Sequence, residues 1–236
     1  MDIFPDGPLL SERPIEIKDD QFELLLFIRF HSLMSKKSNR SHKKYAKKRQ
    51  PNFSLQFLKP VGETFKKETT PEEIFYYING VLYSTIYRTK YVEFLRTDFP
   101  KIPFTKNYKL FSKMGEYGKR LADLHLLESN ELDRPIAKFQ GKGDNKVEKV
   151  KYGQGKVHIN NGQHFEGISS EVWQYQIGGY QVCDKWLKDR KGKRLSLDDI
   201  RHYCKVVTSI GKTIEVQKAI DEIISEVEKE TIDFKL

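Results

Sequence analysis

The chemistry open to this sequence begins with its dense clusters of basic side chains. One run without any acid, "KKSNRSHKKYAKKRQP", carries Lys36, Lys37, Arg40, Lys43, Lys44, Lys47, Lys48 and Arg49. A second cluster surrounds Gly192 and consists of Lys188, Arg190, Lys191, Lys193 and Arg194. Such groups neutralise phosphates and release the counterions condensed around them, so we predict that both clusters contact a DNA backbone. A solvated linker is the alternative for the first cluster, and a favourable helix-dipole interaction is the alternative for the second.

A third segment, residues 146–164, has the side chains needed to read bases. They are Lys149, Lys151, Lys156, His158, Asn160, Asn161, Gln163 and His164. Asn and Gln can bond bidentately to adenine and Lys can bond to guanine, while a two-stranded ribbon fits the major groove. We therefore predict base readout here, with a plain polar hairpin as the alternative.

Catalytic patterns are weak. Asp6, Glu16 and Lys18 match the spacing of metal-dependent nucleases, but such short patterns arise often by chance and no apolar strand leads into Asp6. Acid–base pairs are suggested by His125 and by His202, yet neither comes with a nucleophile motif, and His125 is expected to be a packed structural residue. We predict no catalytic residue and no metal site in this chain.

Composition favours a polyanionic partner. The 236 residues include 42 Lys and Arg against 33 Asp and Glu, a formal net charge of +9. The two cysteines, Cys183 and Cys204, are too few for a disulfide framework and are expected to be reduced core residues. No apolar run approaches the roughly 20 residues of a membrane span, and the acidic N-terminus is unlike a signal peptide. These features predict a cytoplasmic protein.

The elements that must position these side chains form an α+β pattern. We expect an N-terminal segment over 1–50, possibly a linker, then one domain over 51–236 that is helical at 70–130, β-rich at 132–178 and helical at 180–230. Helix starts are predicted by capping boxes at Thr70 with Glu73 and at Ser196 with Asp199. The small sheet is expected to be antiparallel, with "NNG" at 160–162 as a hairpin turn, and the C-terminal helix is expected to pack back.

One further strand is predicted directly before the second basic cluster. Trp173, Tyr175 and Ile177 alternate with polar residues, which is the spacing of a half-buried strand, and Gly178-Gly179 would end it. We expect these side chains to face the core rather than to stack on bases.

Three segments of the sequence resemble those of a known family. They are "TPEEIFYYINGVLYSTIYRTKYVEFLRTDFPKIPF", "GKRLADLHLLE" and "VWQYQIGGYQVCDKWLKDRKGKRLSLDDIRHY", and together they cover roughly residues 50–220. In order and content they resemble the C-terminal specificity domain of Type ISP restriction-modification enzymes and related adenine-N6 DNA methyltransferases. The resemblance implies a target-recognition domain that grips duplex DNA and decides where methylation and cleavage occur.

The sequence lacks the catalytic motifs of a methyltransferase and of a motor, which restricts what the resemblance implies. There is no Pro-Pro for the methyltransferase tetrapeptide and no GxxxxGK[ST] phosphate loop, so S-adenosylmethionine and ATP with Mg²⁺ are expected only in other domains or subunits of the system. The chain alone is then not an enzyme, and its partners are double-stranded DNA and the methyltransferase and motor parts. Two alternatives stay open: a small nuclease that uses Asp6, Glu16 and Lys18, and a basic module that docks on protein or RNA.

Overall fold

The computed structural model describes residues 53–98, 100–177 and 179–234. Within them, helices α1 to α8 are Leu55–Phe65, Pro71–Tyr83, Thr85–Lys90, Val92–Thr97, Tyr108–His125, Ser170–Gln174, Val182–Lys188 and Leu197–Val227. Strands β1 to β6 are Lys138–Gly141, Lys151–Gly153, Lys156–His158, Gln163–Glu166, Gln176–Ile177 and Tyr180–Gln181. The first four strands form an antiparallel sheet in the order β1-β4-β3-β2, and the last two form a separate pair. The α+β class with a small sheet in the middle of the chain is confirmed.

The chain divides into two compact units. Among the residues that the structure describes, unit 1 contains 53–119 and 217–234, and unit 2 contains 120–216. The sheet and the second basic cluster both belong to unit 2.

Unit 1 is built on helices whose starts the sequence predicts. The backbone N–H of Glu73 donates to Thr70 Oγ1 at 3.2 Å while the Glu73 carboxylate accepts from the Thr70 N–H at 2.7 Å, so the capping box at the start of α2 is confirmed. Helices α2 and α5 pack closely because Gly118 has no side chain. A Cβ there would lie 1.8 Å from the carbonyl oxygen of Tyr76. The ring of Tyr77 stacks between neighbouring aromatic rings in the same core.

Unit 2 holds its sheet against the first part of α8. Phe165 of β4 meets Tyr203 of α8 with ring centroids 4.4 Å apart, and both side chains are fully buried. Cys183 and Cys204 are free thiols in this core, as expected, and burial raises the pKa of the Cys183 thiol to about 12. The capping box of Ser196 and Asp199 at the start of α8 is also confirmed.

The prediction of a strand over Trp173, Tyr175 and Ile177 is wrong. Residues Ser170–Gln174 form helix α6, whose start is capped by Ser169 Oγ as it accepts from the Val172 N–H at 3.3 Å. Only Gln176–Ile177 is extended, and it pairs with Tyr180–Gln181. Alternating apolar residues over so short a run fit one helical turn as well as a strand, and the serine cap decides between them. Trp173 is nevertheless buried, stacked on Tyr152 at 5.0 Å.

None of the helices in the described part of the chain combines the length and the apolar character needed to cross a membrane.

Candidate nucleic-acid interface

The four-stranded sheet of unit 2 has one apolar and one polar face, since alternate residues of a strand point to opposite sides. Val157 and Phe165 are fully buried beneath it. The opposite side, which we call the polar sheet face, consists of Lys138, Gln140, Lys151, Lys156, His158, His164 and Glu166. Strand register sets their spacing: Lys156 lies opposite Glu166, and His158 lies opposite His164, with the two imidazole centroids 5.1 Å apart. The sheet thus brings four of the predicted base-reading side chains onto one surface.

Gln163, another predicted base reader, is instead buried under the loop that leads into β2. Its Oε1 accepts from the Asn145 N–H at 2.8 Å, and its Nε2 donates to Asn145 Oδ1 at 2.7 Å. Only 2% of Gln163 is exposed. This amide pair fixes the loop, and a Cβ on Gly143 would lie 2.6 Å from Gln163 Oε1, so a larger residue there would displace the Gln163 side chain.

Asn160 likewise serves the turn between β3 and β4. Its Nδ2 donates to the carbonyl of Lys146 at 3.0 Å, and its Oδ1 accepts from the Gly162 N–H at 2.9 Å. Asn161 next to it is exposed, and its side chain makes no hydrogen bond within the described residues. Of the adjacent asparagines, one therefore holds the turn and the other projects from it.

The second basic cluster, which we call the basic turn (residues 188–194), is tied to the same loop through backbone bonds. The Gly192 N–H donates to the carbonyl of Val147 at 2.7 Å, and the Val147 N–H donates to the carbonyl of Lys193 at 2.9 Å. Lys146 and Arg194 form an antiparallel bridge beside them. The structure thus places the predicted phosphate-contacting turn next to the predicted base-reading segment.

Three of the basic side chains in this turn have partners. Lys188 Nζ lies 2.5 Å from Asp184, and Arg194 Nε lies 3.1 Å from Asp144. The guanidinium of Arg190 lies 3.5 Å from the centre of the Trp186 ring and donates to the Trp186 carbonyl at 3.0 Å. Arg190 is thereby packed against the aromatic residue that precedes it, which explains part of the aromatic-then-basic order of the sequence.

A set of exposed lysines remains without an ion pair in the described part of the chain. The set, which we call the free lysines, comprises Lys138, Lys142, Lys146, Lys149, Lys151, Lys191 and Lys193. Acids near the basic turn are already paired with basic side chains: Asp144 with Arg194, Asp184 with Lys188, Asp189 with Lys185 and Asp199 with Arg190. Near the sheet lie the exposed Glu148 and, on the polar sheet face, Glu166. Basic side chains therefore outnumber acids around the sheet and the basic turn.

The sequence analysis did not identify five residues of this surface: Lys138, Gln140, Lys142, Lys146 and Glu166. The sequence does contain a pattern that indicates Lys138, Gln140 and Glu166. Lys-Phe-Gln at 138–140 and His-Phe-Glu at 164–166 both set an aromatic residue between polar ones, which is the alternation of a half-buried strand. The two triplets are paired in the sheet, Phe139 opposite Phe165.

The remaining candidates from the sequence are the two N-terminal sets and His125. The basic run from Lys36 to Arg49 and the nuclease-like set Asp6, Glu16 and Lys18 lie outside the described residues. His125 is half-buried, its Nε2 3.1 Å from Thr213 Oγ1, and desolvation lowers its pKa to about 4. In the portion of the chain that the structure covers, no three His, Cys, Asp or Glu side chains are grouped as metal ligands would be.

Fold and surface together define a small α+β domain that presents a lysine-rich sheet and turn. Its sequence matches the profile of the Type ISP C-terminal specificity domain over residues 27–219, and the chain belongs to that family. No curated protein matches the chain.

Solved structures with a similar fold include two complexes with DNA. The cryoEM structure of a DrdV–DNA complex matches 76% of this chain with 20% identity and a TM-score of 0.58. The ATP-dependent Type ISP restriction-modification enzyme LlaBIII bound to DNA matches 83% of this chain with 20% identity and a TM-score of 0.53. The matched region spans 21% of the DrdV chain and 13% of the LlaBIII chain, so this chain corresponds to a small part of either.

Proposed function

We propose that this chain is the DNA-binding target-recognition domain of a restriction-modification system. It selects the site at which other domains or subunits methylate adenine and cleave DNA. The observation that carries this proposal is the group of free lysines around the polar sheet face and the basic turn. An exposed ammonium group that has no carboxylate partner gains most from contact with a phosphate, because no existing ion pair must be broken.

Two further lines support a duplex as the partner. The family is named for specificity, and both fold relatives described above were solved with DNA. The surface also carries two kinds of group: lysines suited to phosphates, and His, Gln and Glu side chains suited to base edges. Phosphate contacts position a protein on DNA and base contacts give it sequence preference, so a reader needs both.

In this proposal the chain supplies recognition and no catalysis. S-adenosylmethionine, ATP and Mg²⁺ act in methyltransferase and motor parts that are partners of this domain. The phosphate contacts come from the basic turn and the run Lys36–Arg49, and the base contacts come from the hairpin of β3 and β4 with its flanking loop. Gln163 and Asn160 act in this hairpin as positioning residues, because their amide groups are already bonded.

Fluorescence anisotropy with a labelled random-sequence duplex, in chelator and across a salt series, tests the proposal. We expect micromolar binding at about 50 mM salt that weakens steeply towards about 200 mM, as counterion release requires. Selection of a preferred site from a random library follows. Absence of binding at the lowest salt would contradict the proposal.

The same assay separates the alternatives. A nuclease built on Asp6, Glu16 and Lys18 would nick the duplex when Mg²⁺ or Mn²⁺ is added and lose that activity in Glu16→Ala. A module that docks on protein or RNA would leave duplex DNA unbound at physiological salt.

A further inference from the structure

Glu166 is the one acid on the polar sheet face, and only one of its two carboxylate oxygens is hydrogen-bonded within the described residues. Gln140 Nε2 donates to Glu166 Oε1 at 3.0 Å. The other oxygen, Oε2, lies 3.9 Å from Lys156 Nζ and 3.7 Å from His164 Nε2. Both distances exceed the 2.7–3.2 Å or so of a hydrogen bond, so Oε2 has unused acceptor capacity.

The surroundings hold this carboxylate in place. Lys156 lies directly opposite Glu166 on one neighbouring strand and Lys138 lies opposite it on the other. Gln140 fixes the rotation of the carboxylate through Oε1, while Lys156 and His164 lie near Oε2. The side chain is 34% exposed, which leaves it reachable from the face.

A carboxylate is the wrong group for the DNA backbone and the right one for certain bases. Placed against phosphates it would repel them, which weakens binding wherever the face meets the backbone. Placed in the major groove it accepts from an exocyclic amine, which only cytosine N4 and adenine N6 present there. Its presence among lysines indicates that the centre of the sheet meets base edges, while the lysines around it meet phosphates.

We propose that Glu166 determines sequence specificity by accepting a hydrogen bond, through Oε2, from the exocyclic amine of a cytosine or adenine in the major groove. Gln140 acts as its positioning residue. This inference rests on the proposed function, because it requires that the face contacts a DNA duplex.

Site selection from a random duplex library tests the inference, using the 236-residue chain, the variant Glu166→Leu and the control Glu128→Leu. Leucine is close to glutamate in size and cannot accept a hydrogen bond, whereas glutamine could still pair with adenine. Glu128 is exposed in the same unit but lies outside the sheet and its flanking loop, and its substitution removes the same charge. We expect Glu166→Leu to lose preference for cytosine or adenine at one position by about tenfold to a hundredfold, with the other positions kept. Its affinity for random-sequence DNA should be unchanged or higher, and Glu128→Leu should select the wild-type site.

A base substitution gives a second measurement, and its first part needs only the wild-type protein. The selected cytosine or adenine is replaced by 2-pyrimidinone or purine, each of which lacks the exocyclic amine. Wild-type protein should then lose about tenfold or more in affinity, whereas Glu166→Leu should bind both duplexes within about twofold of each other.

The outcomes are distinguishable. If the wild type selects no site, the proposed function fails and the role of Glu166 falls with it. If the wild type selects a site but every position tolerates loss of its amine, or if Glu166→Leu keeps the same preference, the function stands and the role of Glu166 is refuted. An equal change in Glu128→Leu would assign the effect to net charge and refute it too.

Discussion

Neutralising the tip of the basic turn should change how DNA affinity depends on salt. Lys191 and Lys193 are exposed and lack ion pairs in the described structure, and the turn that carries them is held by backbone hydrogen bonds to Val147. The double substitution Lys191→Gln/Lys193→Gln should therefore leave the scaffold intact while it removes two potential phosphate contacts. Thermal unfolding of the variant should match that of the wild type.

The size of the effect follows from counterion release. Each lost phosphate contact makes the slope of log affinity against log salt less negative by about 0.9, so the slope of the double variant should be less negative by about 1.8. Between about 50 and 200 mM salt, the ratio of wild-type affinity to variant affinity should therefore fall about twelvefold. Anisotropy titrations of both proteins on one duplex, at four or five salt concentrations, measure it directly.

The matched control is Lys185→Gln/Lys212→Gln, which removes the same net charge and lies outside the basic turn. Both lysines already form ion pairs, with Asp189 at 2.9 Å and with Glu215 at 2.8 Å. Because these ammonium groups have partners, we expect the control to change the slope by less than about 0.5. Equal slopes for the wild type and the Lys191/Lys193 variant would refute the placement of phosphates at this turn. Equal losses in variant and control would show that net charge alone governs binding.

Three further predictions concern the scaffold, and each is read from chemical denaturation midpoints. Gly118→Ala should destabilise by about 1–3 kcal/mol or more because its Cβ would meet the backbone of α2, whereas Gly62→Ala, with its nearest atom 3.9 Å away, should be neutral or stabilising. The pKa of half-buried His125 is lowered to about 4, so unfolding takes up a proton between about pH 6.5 and 4. Stability should fall by about 3 kcal/mol as the pH is lowered through this window, and His125→Gln should remove that dependence. Gln163→Ala should cost about 1–3 kcal/mol because it removes both hydrogen bonds between Gln163 and Asn145, and a cost near zero would contradict the bracing role of Gln163.

Helix starts were predictable from the sequence because their signals are local. Thr70 with Glu73 and Ser196 with Asp199 satisfy the first backbone N–H groups within four residues, and no distant contact is needed for that. The helix break at Ser84 follows the same logic, since its hydroxyl accepts from the Tyr87 N–H. The strand predicted at 173–177 failed because its evidence was a three-residue alternation that a cap at Ser169 could override.

The site was predictable in composition but not in detail. The sequence places lysines and amides in segment 146–164, yet only the fold shows that Gln163 is buried while the neighbouring His164 lies half-buried on the polar sheet face. The pairing of β1 with β4, which adds Gln140 beside Glu166, joins residues 26 positions apart and has no local signal. Which basic side chains have ion-pair partners likewise depends on contacts between distant segments, such as that of Arg194 with Asp144.

The amide pair of Gln163 and Asn145 holds this surface in place with side chains other than the exposed ones. Hydrogen bonds to buried amides and to backbone atoms fix the loop and the basic turn, so their shape does not depend on the exposed side chains they carry. Exposed positions such as Lys149, Asn161 and Lys191 can then be exchanged without refolding what lies beneath. Under the proposed function, a surface built this way can acquire a new target sequence by a few substitutions, which makes the frame suited to recoding by mutation or design.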